Sequence, residues 1–591
     1  MTMTEARPTE GATPTSPDAL STPPRPVGDA VLDSADHKRV GLTFLCFGLI
    51  AFVVVRAVGA ALGGELTQAG IQIVGDDSRR LYSLYESGLV LLVLGPLWTG
   101  IATYVLPLQL GASRLAFPRL QSFALWTTVG GAGLFVAGHL IDPPPGVGLS
   151  DPTPLQAPIG GVNDGTNLIL VGVLLLAGAS IIAAGNLLTT ALTLRTDGMT
   201  LSRMPLFAWS VMASAAGVLL ASPVFLAGAF LLYLDLHFGG SALFGPGNDA
   251  DLVWQKSLWL YGRPEIFLLA LPGLGAACDI VVTAARRTIA DPPMPPIPAG
   301  ARRRLRHPVP GVTTPLKGHI LAIGAIGAFV GFSLLAWTQD RLSLNALTLP
   351  TATVGTALVV LPVGLLVLLW LGTLGQARAK PTLALAFVVA ALLVWGAAAV
   401  NAAVAGIVGV RGHALASGQV ELVAIGGPTL LVFGALHHWS PKLFGARLSA
   451  VAGGLVLLSG LAGTLALGIG QSLAGYAGSG AHLKDFRVST VDGGIVLARA
   501  NRGQGGFVLA QVGHVLLLFA GIVLILDIAR VLAASRRAEP AAADLTDGVT
   551  LEWATTSPPP PANFVEVPEV RTEAPLADLA AYNTDAAKET K

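Results

Sequence analysis

Residues 258–275 read LWLYGRPEIFLLALPGLG. After Arg263 and Glu265 no charge follows up to Gly275, and the stretch lies in an apolar run centred near Ala270. A bilayer core of roughly 30 Å needs about 20 apolar residues in a helix. Twelve runs of this kind occur, centred near Ile50, Leu94, Gly131, Leu175, Leu219, Ala270, Gly327, Val360, Leu392, Leu430, Leu461 and Leu518. Some contain proline, such as Pro96 and Pro223, which transmembrane helices tolerate better than soluble ones. The fold class expected is an all-α polytopic membrane protein with twelve transmembrane helices.

Composition leads to the same class. Of 591 residues, 53% are hydrophobic and 12% are charged, about half the charge of a soluble domain. Mean hydropathy is +0.67. The 71 glycines suit helices that pack closely through small residues. A net charge of +1 gives no case for nucleic acid as a partner. Cys46 and Cys278 lie far apart in apolar runs, so they build neither a disulfide framework nor a thiolate metal site. Buried packing is expected of both.

Three regions follow. Residues 1–38 are rich in Pro, Thr and Ala, lack a signal-peptide core, and read as a disordered tail. Residues 39–535 form the membrane domain. Residues 536–591, with SPPPPANF and several acidic residues, read as a second disordered tail. Positive charge concentrates after the even-numbered helices, at Arg114 and Arg119, at Arg302, Arg303 and Arg304, and at Lys442 and Arg447. The positive-inside rule then puts both termini in the cytoplasm. The Ala-, Gly- and Leu-rich composition suggests a bacterial plasma membrane.

Four ordered segments carry a resemblance: GIATYVLPLQLGASRLAFPRL (100–120), LRTDGMTLSRMPLFAWS (194–210), the 258–275 stretch, and HHWSPKLFG (437–445). Over about residues 38–535 the chain resembles subunit I of the haem-copper oxidases, the cytochrome c oxidase family. That resemblance implies the twelve-helix arrangement, haem and copper held by histidines, and proton delivery by Glu265.

The expected ligands are where the sequence departs. The family's Gly-His-Pro-Glu-Val-Tyr reads Gly262-Arg263-Pro264-Glu265-Ile266-Phe267. Arg263 has no lone pair to give a metal. The family's copper pair Trp-Ala-His-His reads Trp337-Thr338-Gln339-Asp340. The two haem ligands of helix ten fall on Gln419 and Glu421, and that of helix two on Tyr85 beside Glu86. Tyrosine ligates haem elsewhere, so Tyr85 stays open as a ligand. The proton-entry positions fall on Arg114 and Val354. No cofactor is therefore expected, and no metal at Arg263, Gln339 and Asp340; haem and copper enter only if the chain is a working oxidase.

Charges at membrane depth must pair. Arg263 and Asp340, with Gln339 and Glu421 nearby, are expected to replace the copper by an ion pair. His37 and His307 read as solvated; His437 and His438 read as hydrogen-bonded core or interface histidines, with a metal pair of low specificity as the alternative. Three functions stay open: a non-catalytic paralogue with a structural or assembly role, a terminal oxidase passing electrons from cytochrome c to oxygen with proton pumping, and a proton or solute pathway through the emptied core. Expected partners are the lipid bilayer and other oxidase-type membrane subunits.

Overall fold

The computed structural model describes residues 36–67, 78–141, 164–239, 264–285, 317–341, 351–375, 379–408, 413–477, 493–535 and 548–565, with 567, 570, 575 and 576. Twelve helices cover the twelve apolar runs. They are α1 (His37–Glu65), α2 (Leu81–Leu110), α3 (Pro118–Ile141), α4 (Asp164–Thr193), α5 (Leu206–Leu234) and α6 (Pro264–Ala285). They continue as α7 (Lys317–Arg341), α8 (Thr351–Gly375), α9 (Leu383–Val408), α10 (Ala414–Phe444), α11 (Ala450–Tyr476) and α12 (Gly493–Ser535). Nine are long and apolar enough to cross a membrane over their described residues, and α6, α7 and α8 hold shorter apolar segments. The chain is an all-helical, multi-pass membrane protein.

α2 and α10 are the hub. Each buries 83% of its most apolar window, whereas the other seven long spans bury 39–50%. The outward faces of those spans carry exposed Ile50, Leu220, Leu393 and Leu458, as lipid contact requires. Cys46 lies on such a face and is exposed, contrary to the burial expected; Cys278 is buried and accepts a hydrogen bond from Trp370 Nε1 at 3.2 Å.

Where helices touch, glycine sets the spacing. On α11 and α12, a Cβ at Gly506 would lie 2.5 Å from the Gly470 carbonyl oxygen and 2.6 Å from the Ala474 nitrogen. Both obstacles are backbone and cannot rotate away. Gly506→Val is therefore expected to cost about 1–3 kcal/mol through overpacking, while Gly505→Val, with nothing within 4 Å of its added Cβ, stays near neutral. Paired melting curves check this, and equal losses at the two sites would contradict it.

Both tail boundaries need correction. α1 starts at His37, capped by the Asp36 carboxylate accepting from the Lys38 N–H at 3.0 Å. His37 is buried at 2% exposure rather than solvated. Residues 548–565, expected to be disordered, form a strap across the end of the bundle where α1 begins, the terminal face. Leu551, Trp553 and Phe564 are buried apolar anchors. Lys38 Nζ donates to the carbonyls of Pro560 and Pro561 and to Asn563 Oδ1, at 3.1, 3.0 and 3.0 Å. Lys442 Nζ donates to the Thr555 carbonyl at 2.7 Å, and Asn563 Nδ2 to the Ala112 carbonyl at 2.7 Å. A proline-rich strap has no helical or strand period, so its burial rests on single anchors that periodicity does not reveal.

Candidate functional site

The hub helices share a defect. In α2, residues Leu89–Leu94 form a π turn, followed by Gly95 and Pro96; in α10, Glu421–Gly426 form another, followed by Gly427 and Pro428. Proline has no N–H to donate and crowds the carbonyl one turn back. Widening the turn relieves that crowding, and the Gly95 N–H reaches back five residues to the Val90 carbonyl. Such π turns gather at functional sites. The two pack against each other, which sets Tyr85, one turn before the first, beside Glu421, the first residue of the second.

Arg56 of α1 fills the space between them. Its Nη2 donates to Glu421 Oε1 at 2.8 Å, and its Nη1 to the Tyr85 hydroxyl at 3.2 Å. The guanidinium lies 5.5 Å from the Phe52 ring centre. Arg56 is 0% exposed, Glu421 4% and Tyr85 7%. A buried carboxylate is thus matched by a buried cation, and a phenol oxygen accepts from the same guanidinium. The planar fork of arginine serves both at once; lysine, a point charge, does not.

On the far side of Tyr85 the His514 ring of α12 meets its edge, with centres 5.4 Å apart at 73°. The close fit depends on Gly59 of α1, where a Cβ would lie 2.5 Å from the Tyr85 ring and 2.8 Å from His514 Nδ1. A cavity of about 30 Å³ remains beside Gly59, Gly63, Tyr82, Tyr85, Gln471 and His514. Glu86 accepts from the Tyr82 hydroxyl at 2.8 Å.

Of the expected site residues, the structure brings Tyr85 and Glu421 together and sends Gln419 elsewhere. Gln419 Oε1 accepts from Asn401 Nδ2 at 2.8 Å, and its Nε2 donates to the Ala398 carbonyl at 3.2 Å, both on α9. Glu421 is paired with Arg56. The expected Arg263–Asp340 pair lies outside the described residues, as do the side chains of Glu265, Phe267 and Gln339. His437 and His438 do not converge as a metal pair: His437 Nδ1 bonds the Phe433 carbonyl, while His438 packs against the rings of Trp439 and Trp553. Among the described residues no group of His, Cys, Asp or Glu is arranged to hold a metal ion.

Arg56 escaped the sequence reading, although its signal is plain. It is the lone charge in LTFLCFGLIAFVVVRAVGAALGG (42–64), and an ionisable residue inside a span is a functional candidate by default.

The family model described as Cytochrome C and Quinol oxidase polypeptide I matches residues 39–294. A putative cytochrome c oxidase subunit 1-beta of Streptomyces avermitilis is 27% identical over 93% of this chain and 91% of its own length. Cytochrome c oxidase subunit 1 of Corynebacterium efficiens is 27% identical over 94% and 91%. Among solved structures, a haem-copper terminal oxidase superposes with a TM-score of 0.61 at 16% identity, covering 93% of this chain and 90% of the other. At that identity the superposition speaks for the fold alone.

Proposed function

We propose that this chain, a subunit I-like membrane protein of the haem-copper oxidase family, is a non-catalytic paralogue with a structural or assembly role in an oxidase-type membrane complex. The observation that carries the reading is the Arg56–Glu421 pair at 2.8 Å, with Tyr85 on the same guanidinium. An axial ligand offers iron a free lone pair on a group aimed at the metal. At the positions where the resemblance expects those ligands, Glu421 is neutralised by Arg56 and Tyr85 accepts from it. Turning Glu421 towards a metal would strand the Arg56 charge in the core, at about 3–5 kcal/mol. The cavity of about 30 Å³ beside Tyr85 has room for water, not for a macrocycle. The residues present do not fit a haem held between α2 and α10.

Arg263, Gln339 and Asp340, at the copper positions, extend the same reading, since guanidinium cannot ligate. The helix packing of an oxidase subunit is kept and its ligand chemistry is not. Such a chain is suited to lie beside other oxidase-type subunits, with both termini in the cytoplasm as its positive charges dictate. A reduced-minus-oxidised absorption spectrum, with iron and copper analysis of the purified chain, tests this. Neither haem bands nor stoichiometric metal are expected. One haem per chain would overturn the reading and restore the oxidase.

A further inference from the structure

A second polar cluster lies at the terminal face. Gln109 of α2 donates through Nε2 to Asp279 Oδ2 of α6 at 2.8 Å and to Glu552 Oε1 of the strap at 3.1 Å. Trp439 Nε1 of α10 donates to the same Glu552 oxygen at 3.2 Å. Asp279 also accepts from the backbone N–H groups of Leu206 and Phe207 on α5, and Glu552 accepts from the Thr550 hydroxyl. All three members are buried, with Gln109 and Glu552 at 0% exposure and Asp279 at 5%.

Among the described residues no cation is paired with either carboxyl. On the same face, Lys442 of α10 donates to the Thr555 carbonyl and Lys38 of α1 to the carbonyls of Pro560 and Pro561. His438 of α10 meets the Trp553 ring edge-on. Two buried oxygens in the cluster, Glu552 Oε2 and Gln109 Oε1, have no hydrogen-bond partner among the described residues. Two buried carboxylates bridged by one amide nitrogen and otherwise met, among the described residues, by neutral donors resist being ionised together. A proton on Glu552 Oε2 removes one charge and turns an acceptor without a donor into a donor.

We propose that Asp279 and Glu552 form a proton-binding site that fastens the strap to α2 and α6. The site holds one proton at neutral pH as a shared property of the pair. Burial pushes the Glu552 carboxyl up from its usual value, in the same direction. The folded chain then binds more protons than the unfolded chain above the ordinary carboxylate range. The proton's contribution to stability is therefore full below the ordinary carboxylate range and is lost as pH rises from there through the folded value. Losing the proton sets two like charges under the strap and loosens it.

Infrared difference spectra of the full-length protein test the idea directly. A protonated carboxylic acid band is expected in the wild type at neutral pH, and Glu552→Gln and Asp279→Asn should each abolish it. Limited proteolysis supplies the second readout. Cleavage within residues 548–565 should rise several-fold in the wild type between about pH 6 and about pH 9, with the rise removed by Glu552→Gln. A carboxylic acid band unchanged in Glu552→Gln, or a strap whose cleavage does not change with pH, would overturn the proposal. Neither readout depends on haem content, so failure here leaves the proposed function standing, and the converse holds.

Discussion

Replacing Arg56 by methionine should destabilise the purified protein by about 3–5 kcal/mol, the cost of leaving one partner of a buried ion pair uncompensated. Glu421→Leu alone should cost a similar amount, because the guanidinium then keeps only the Tyr85 hydroxyl at 3.2 Å. The double variant should recover most of the loss, since it buries no charge. Arg56→Lys should rescue poorly: one ammonium cannot span Glu421 and Tyr85 with the geometry of the fork. Denaturation in detergent of the two single variants and the double variant gives the coupling. Additive losses would mean that Arg56 and Glu421 are each solvated separately, and the closed α2–α10 site would have to be abandoned.

The second large effect is expected at Trp553. Its side chain is 3% exposed, faces the His438 ring at 5.3 Å and lies under Lys442 Nζ at 5.4 Å. Truncation of such a buried indole costs about 3–5 kcal/mol. Trp553→Ala should also release the strap, so that protease cuts residues 548–565 while the helices stay intact. Trp553→Phe should keep the strap in place, because a ring still fills the space between α10 and residues 548–565. A Trp553→Ala protein as stable and as resistant as the wild type would show that the strap adds nothing to the bundle.

The spans were legible because each buries or exposes about 20 apolar residues, a signal no tertiary detail can erase. All twelve helices contain the centres read from hydropathy. The hub also left a trace, as Gly95-Pro96 and Gly427-Pro428 predict disturbed helices; what the extra residue of a π turn does to the direction of neighbouring side chains is not written in the spacing. Gln419 lies before the second π turn and two residues from Glu421, about 200° round the helix, so it faces Asn401 on α9 instead. Arg56 was readable as a lone intramembrane charge but lay outside the motifs that drew attention. The strap and the Asp279–Glu552 pair were beyond reach, because Gln109, Asp279 and Glu552 meet only when residues 443 positions apart fold onto one face.

The strap also makes the protein a judge of its own completeness. Lys38 stands at the entrance of the first helix, yet the carbonyl it needs from Pro560 is synthesised 522 residues later. Until then a cation beside the first span has only Asp36, at 3.4 Å, to answer it. A chain released early inserts its helices and still carries an open terminal face, with Lys38, Lys442 and the hub ends uncovered. The last residues to be made thus close the end of the bundle at which the first helix starts, so the terminal face is finished only when both ends of the fold have been made.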